Sequence, residues 1–340
     1  MNNTKIKVNL DSGQHSEKRG IGFYAEFLGA KLANFVDLTR TNPDIIHYTY
    51  FDLFYPTLPL KKTKPTVVTI HDLTPLVLKS LYPTGIRGAL NLLHQKLSQS
   101  NASGVITDSQ NSKNDIIHFF NISKSKIHVI PLAADPQFSI SISHKQLLLV
   151  KKKYNLPSQF ILYVGGVNPN KNLTLLAQTA IDLNIPLVFV GSEFLKPVFN
   201  HPELRPFAEL KKIISQRPEL FLMPGFVPTL DLVAFYKLAS LYCQPSLYEG
   251  FGICILEAMT AGCLVVSSFT SSLPEIYPKN TITFNPTDIN SLRNALNRAM
   301  SLSTLQKNSL LKAAIQRAKD YNWNKTAEKT LEVYQKILNQ

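Results

Sequence analysis

At 340 residues, 44% of them hydrophobic and only 14 of them glycine, the chain can build two ordinary domains with large cores and is too apolar for disorder. No apolar run reaches the roughly 18 residues a bilayer span needs, and the opening MNNTKIKVNL lacks the apolar stretch of a secretory signal. The formal charge of +13 is lopsided: residues 1–155 carry 19 Lys and Arg against 10 Asp and Glu, whereas residues 156–340 carry 17 against 13.

A basic half can meet nucleic acid, anionic lipid or a phosphorylated substrate, or it can be a plain solvated face. The lysines are scattered, as at Lys61, Lys62 and Lys64, without interleaved aromatics, which argues against nucleic acid as a partner. Cys243, Cys254 and Cys263 are odd in number and sit in apolar runs, so buried thiols in a reducing cytosol are expected.

In chain order, KIKVNL at 5–10 alternates like a strand, and the polar loop DSGQHSEKRGIG leads into a helical pattern from about Ile21. Gly20 and Gly22 fall at that strand-to-helix junction, where small residues let a backbone approach a ligand or simply make a tight turn. IIHYTY at 45–50 and TVVTIHDL at 66–73 read as strands with polar residues at their C-terminal ends. In open parallel sheets ligands bind outside those ends, which makes His47, His71 and Asp72 candidates beside the alternative of satisfied structural groups. LKSLYPTGIRGALNLLHQKLSQS contains an amphipathic pattern with a basic edge, suited to packing on a sheet or resting on a membrane surface. GVITDSQ and KIHVIPLA read as the last strands of this half, with SKNDIIHFF as the helix between them.

From PSQF at 157–160 a second alternation begins. FILYVGG, PLVFVGS, LFLMPGF, SLYCQPS and CLVVSS are short apolar strands, separated by helical patterns such as NLTLLAQTAIDL and TLDLVAFYKLA. Strand and helix alternating through both halves predict two doubly wound α/β domains, with a changeover at about 139–157 and a cleft that favours ligands. Lys171, after the paired glycines of YVGG, stands just before a helix start, where it is either a solvated lysine or a charge for a phosphate. Patterns at about 288–302, 304–320 and in NWNKTAEKTLEVYQKIL read as closing helices. The last of these offers Trp323, Leu331, Val333 and Ile337 as a packing face.

The stretch QPSLYEGFGICILEAMTAGCLVVSS at 244–268 reads as strand, loop, helix, strand, with Gly262 suited to the left-handed helix end. Glu249 falls on the loop and Glu257 about one turn inside the helix. The helix N-terminus, with unpaired amides and partial positive charge, faces that loop. Two carboxylates for hydroxyls beside a dipole for phosphate suit a sugar nucleotide. The spacing alone is more often that of a surface helix with two ordinary glutamates.

Taken together, PGFV at 224–227, LVAFYKLASLYCQPSLYEGFG at 232–252, LEAM at 256–259 and LPEI at 273–276 resemble the GT4 family of retaining glycosyltransferases. RGIG, VVTIHDL, VIPLAAD and YVGGVNPNKNL match the same family in the same order, so the resemblance covers nearly the whole chain. It implies the GT-B architecture, two Rossmann-like doubly wound parallel-sheet domains facing a central cleft. Residues 1–155 would form the acceptor-side domain, joined by a final helix at 322–340, and residues 156–321 the nucleotide-sugar domain.

The resemblance also implies roles. Glu257 would hold the nucleotide ribose, Glu249 the transferred sugar, and the Phe251-Gly252-Ile253 backbone the sugar and diphosphate. Lys171, joined by Gly22, would neutralise the leaving diphosphate, with His71 near the reacting sugar. The implied activity is metal-independent transfer of a hexose, mannose favoured, from a nucleotide-diphosphate sugar that serves as co-substrate, with no cofactor. A glycan or polyprenyl-linked acceptor, peripheral contact with an anionic membrane, a cytoplasmic location at the inner membrane face and a role in polysaccharide biosynthesis complete the expectation. The chain departs from the family at Gly166 and Asn170, where members carry an arginine that helps grip the diphosphate, and at Ile253-Cys254, where a proline is usual. The rivals are a sugar-nucleotide-binding protein without turnover and a glycoside hydrolase using Glu249 and Glu257 as its carboxyl pair.

Overall fold

The structure is a computed structural model that describes residues 5–13, 20–196 and 205–339. Its contacts divide the chain into two units, one of Met1–Lys79, Pro83–Ala133 and Tyr321–Gln340, the other of Ser80–Tyr82 and Ala134–Asp320.

In the first unit, parallel strands β1 (Lys7–Asp11), β2 (Asp37–Leu38), β3 (Ile45–Tyr48), β4 (Thr66–Thr69), β5 (Gly104–Thr107) and β6 (Ile127–Val129) form one sheet in the order β2-β1-β3-β4-β5-β6. Helices α1 (Gly20–Leu32), α2 (Thr74–Val77), α3 (Ile86–Ser100) and α4 (Gln110–Phe120) connect them. Side chains alternate across a strand, and the cores follow that rule. Val67 and Ile106 join the cluster of Val8, Tyr24 and Leu28 on one face, while Val68 and Val105 join Leu53, Leu73 and Ile116 on the other. With both faces covered, the strands read as continuous apolar runs. α4 is bounded by the Ser109 side chain, which accepts from Ser112 N, and by left-handed Asn121.

The second unit begins with α5 (His144–Lys153), opened by a Ser143–Gln146 capping box. The changeover between the units, at Ala133 and Ala134, precedes the 139–157 stretch expected from the sequence. The reason is that α5 and the residues after it pack within the second unit. Tyr154 sets its ring edge-on to Phe235 at 5.0 Å, and Lys153 and Tyr154 both bond to Asp231. Strands β7 (Ile161–Val164), β8 (Leu187–Val190), β9 (Phe221–Gly225), β10 (Leu241–Gln244), β11 (Val265–Ser268) and β12 (Ile282–Phe284) pair in parallel in the order β12-β11-β10-β7-β8-β9. Around them run α6 (Leu173–Asp182), α7 (Arg205–Ile214), α8 (Thr229–Leu238), α9 (Ile253–Ala261), α10 (Leu273–Ile276), α11 (Ile289–Met300) and α12 (Thr304–Ala318). β2 and β12, of two and three residues, were not foreseen.

The last helix, α13 (Trp323–Leu338), belongs to the first unit. Trp323 stacks on Phe27 with centroids 5.3 Å apart, and Val333 is buried with Leu331 and Ile337 packed beside it. Thr326 Oγ1 donates to the Pro131 carbonyl at 2.9 Å.

Candidate active site

In the second unit, strand succession reverses between β7 and β10, and open parallel sheets bind ligands beyond the C-terminal strand ends at such a point. The segments leaving there carry Lys171 and Glu249, and the fold joins them. Lys171 Nζ lies 2.8 Å from both carboxylate oxygens of Glu249. Oε1 also accepts from Gln244 Nε2 at 2.8 Å and Ser246 Oγ at 2.6 Å. Oε1 thus takes three donors and Oε2 one, so the acceptor capacity that remains is on Oε2. The side chains are only 20% and 11% exposed. Withdrawing two charges from water is expensive, and each donor around Glu249 offsets part of that cost.

The loop that bears Glu249 is fixed from several sides. Its amide donates to Ser271 Oγ at 2.9 Å, and Ser272 Oγ donates to the carbonyls of Glu249 and Phe251, both at 2.9 Å. Asn170 binds the neighbouring turn: Nδ2 donates to Tyr248 O at 2.8 Å, its carbonyl accepts from Leu247 N, and Oδ1 accepts from Tyr82 OH at 2.7 Å. The residue standing in place of a family arginine is therefore a buried strut. At Gly166, the other such position, an ideal Cβ would lie 2.8 Å from Glu193 Oε2, which accepts from Val167 N at 3.1 Å. A side chain there requires that carboxylate to swing aside.

Phe251 is buried, and Gly252 caps α9 in the left-handed region at φ 110°. As the N-cap residue, Gly252 offers this helix no side chain, and the partial positive charge of its first amides, beginning at Ile253, stands beside the Glu249 loop. Glu257 lies a turn further on, where Tyr236 OH donates to Oε2 at 3.1 Å. Burial pushes its carboxyl from 4.5 up to about 8, against the Tyr236 hydrogen bond and aided by Asp135. The side chain keeps partial solvent contact, which screens some of that effect.

In the first unit the succession reverses between β1 and β3. Gly22, partly buried, lies in the first turn of α1; residues 14–19 of the preceding loop, including Arg19 of RGIG, lie outside the described residues. His71 follows β4, and its Nδ1 is 2.7 Å from Oδ2 of Asp108, which follows β5 and is 3% exposed. The Tyr24 ring meets the imidazole edge-on at 4.9 Å, and Ser112 Oγ donates to the His71 carbonyl at 3.0 Å. His71 Nε2 and Asp108 Oδ1 are buried without a hydrogen-bond partner of good geometry among the described residues. Burial opposes charge on His71, but Asp108 outweighs it, with Asp72 and the Thr49 backbone adding less, so the imidazole is held above its ordinary range. Asp72 accepts from Thr74 N at the start of α2. His47 is a structural group: Nδ1 meets Tyr334 OH at 2.6 Å, Nε2 meets Thr69 Oγ1 at 2.8 Å, and burial, with His71 nearby, pushes it down to about 3.

Asp108, Gln244, Ser246 and Tyr236 were not foreseen. Asp108 was within reach, because it ends a strand as His71-Asp72 does. Gln244 and Ser246 flank the proline after β10, and only the folded loop shows that both point at Glu249. Among the described residues no group of three or more His, Cys, Asp or Glu side chains could hold a metal ion.

Comparison with known proteins gives the family and the fold. Residues 146–320 match the family described as glycosyl transferases group 1, and residues 17–138 match Glycosyltransferase Family 4. The serotype-specific mannosyltransferase WbdA of Escherichia coli is 27% identical over 317 residues, covering 91% of this chain but only 39% of WbdA. The O-antigen chain mannosyltransferase B of Escherichia coli is 30% identical over 282 residues, covering 79% of this chain and 69% of that protein. Among solved structures, sucrose-phosphate synthase from Thermosynechococcus elongatus superposes with a TM-score of 0.79 at 17% identity, over 98% of this chain and 100% of that one. HepE of Anabaena in complex with UDP and glucose gives 0.75 at 16%, over 97% and 99%. At such identities the structural likeness is one of fold, and that fold is GT-B. By its family match and its two doubly wound sheets, the chain belongs to the glycosyl transferases group 1.

Proposed function

We propose that the chain moves a hexose, mannose favoured, from a nucleotide-diphosphate sugar to a glycan or lipid-linked acceptor, with retention at the anomeric carbon and without a metal ion. The observation that carries this reading is the Lys171–Glu249 pair at the β7–β10 reversal, beside the start of α9. As the bond from anomeric carbon to phosphate breaks, its electron pair moves onto the diphosphate. A lysine and helix amides already aimed there stabilise the transition state more than the ground state. Glu249 Oε2 has the acceptor capacity for a sugar hydroxyl, and Glu257 for the ribose. Glu249 is tied by Lys171, Gln244 and Ser246, which suits a fixed hydroxyl acceptor better than the mobile proton donor of a hydrolase.

His71, held by Asp108, is assigned to the sugar end of the reaction. Mannose is favoured because WbdA and the O-antigen chain mannosyltransferase B are mannosyltransferases, and the latter acts on an O-antigen chain. A nucleotide donor is favoured because HepE holds UDP and glucose on the same fold. Incubation with GDP-mannose, with and without a pool of glycan acceptors and with and without EDTA, tests the proposal. Nucleoside diphosphate release that needs the acceptor and ignores EDTA is expected. Release indifferent to acceptor, or abolished by EDTA, would refute it.

A further inference from the structure

α3 faces the wrong way for a helix packed on a sheet. Its buried residues are Gln95, Ser98 and Gln99, all polar. Gln95 Nε2 donates to Asp52 O and Thr57 Oγ1, Ser98 Oγ to Pro59 O, and Asn91 Nδ2 to Phe54 O, each at 2.6 Å. On the opposite face, Ile86, Leu90, Leu93 and Leu97 are 85%, 63%, 56% and 55% exposed. At intervals of four, three and four residues they form one stripe along the helix. The 52–62 loop that holds the polar face adds exposed Tyr55 and Leu60. An ordinary surface helix buries its apolar stripe, and aliphatic side chains aligned in water mark a surface that something covers.

The charges around the stripe identify its occupant. From Asp52, where the loop begins, to Thr107 the chain carries six Lys and Arg against two Asp, and α3 has no acidic residue. On a helical wheel Arg87 lies on one flank of the stripe and Lys96 on the other, while Lys61 is exposed on the loop. Lys96 stands over the Phe120 ring at 5.7 Å. A second copy docking here about a two-fold axis would set these basic flanks against each other. No helix among the described residues is long and apolar enough to cross a membrane. We propose that α3 and the 52–62 loop dock the protein on an anionic lipid bilayer, the stripe entering the acyl boundary and the basic flanks lying among lipid phosphates. This surface stands independently of the transfer reaction.

Flotation of the 340-residue chain with vesicles tests it. Binding to phosphatidylglycerol-containing vesicles, weak binding to pure phosphatidylcholine and loss with rising salt are expected. Leu90→Gln with Leu93→Gln should lower the partition by about tenfold or more, with an unchanged or raised unfolding midpoint, because these side chains bury little in the folded protein. Lys61→Glu with Arg87→Glu should reduce binding to the anionic vesicles and its salt dependence. A chain that fails to float with anionic vesicles at low salt overturns the proposal, as does a double-glutamine variant that floats like the parent. A dimer that the glutamine variant disperses, with neither form floating, would assign the stripe to self-association instead.

Discussion

Glu249 and Glu257 carry the same functional group into opposite surroundings. Glu249 meets a lysine and two neutral donors, whereas Glu257 meets one tyrosine hydroxyl and a burial that pushes its carboxyl to about 8. Ribose hydroxyls donating to Glu257 would favour its ionised form. Nucleotide binding should therefore release a proton at pH values below about 8 and tighten as pH rises toward that value. Calorimetry in buffers of different ionisation enthalpy reads the released proton, and Glu257→Gln should abolish it. For stability the sign is opposite: the folded state holds this proton more tightly than the unfolded one. The contribution is thus present below 4.5 and lost as pH rises through 8. His71 is also raised, by Asp108, so its contribution is lost as pH climbs through the higher folded value, and because burial raises the Asp108 carboxyl too, the ion pair also gives way in acid once that carboxyl takes up a proton. Asp108→Asn should cost about 1–3 kcal/mol near neutral pH and move the His71-dependent limb of the rate profile to lower pH. A profile unmoved by the substitution would deny Asp108 its hold on the ring. Glu249, Glu257, Lys171 and His71 were legible because each stands at a strand end or helix start. The Lys171–Glu249 bond was not, because it joins side chains 78 positions apart, and His47 gave no sign of Tyr334, 287 positions away.

Helix ends were the most readable elements, since caps announce themselves locally. Gly262 ends α9 at φ 77°, as its sequence context implies, but Gly252 does more. A Cβ at Gly252 would lie 2.6 Å from Leu273 Cδ2, whereas one at Gly262 meets only Ile315 Cδ1 at 3.6 Å. Both substitutions carry left-handed strain of about 1–3 kcal/mol, and only Gly252→Ala adds a clash at the candidate donor loop. Gly252→Ala should therefore lower the urea midpoint more than Gly262→Ala and also weaken nucleotide binding. Equal losses of stability, with binding intact in both, would show that the N-terminus of α9 does not meet the donor. The amphipathic period of α3 was readable too, but its direction was not, because periodicity fixes a stripe and says nothing about which side faces the sheet.

For the whole chain, alternation of strand and helix was enough to indicate two doubly wound sheets. The positions where strand order reverses depend on which strands pair, and no local pattern encodes that. The reversal in the second sheet places Lys171 and Glu249 after the neighbouring strands β7 and β10, whereas His71 and Asp108 follow β4 and β5, consecutive neighbours in the first. A nucleotide that binds the native state should raise the unfolding temperature, by the equivalent of about 2.7 kcal/mol at a hundredfold excess over Kd. A screen of GDP, UDP and ADP would then rank the base. The most direct measure of the central claim is the rate of nucleoside diphosphate release by Lys171→Ala at saturating donor and acceptor. A fall of about 100-fold with donor affinity changed far less is the predicted result; an undiminished rate under saturation would contradict the assignment of Lys171 to the leaving diphosphate.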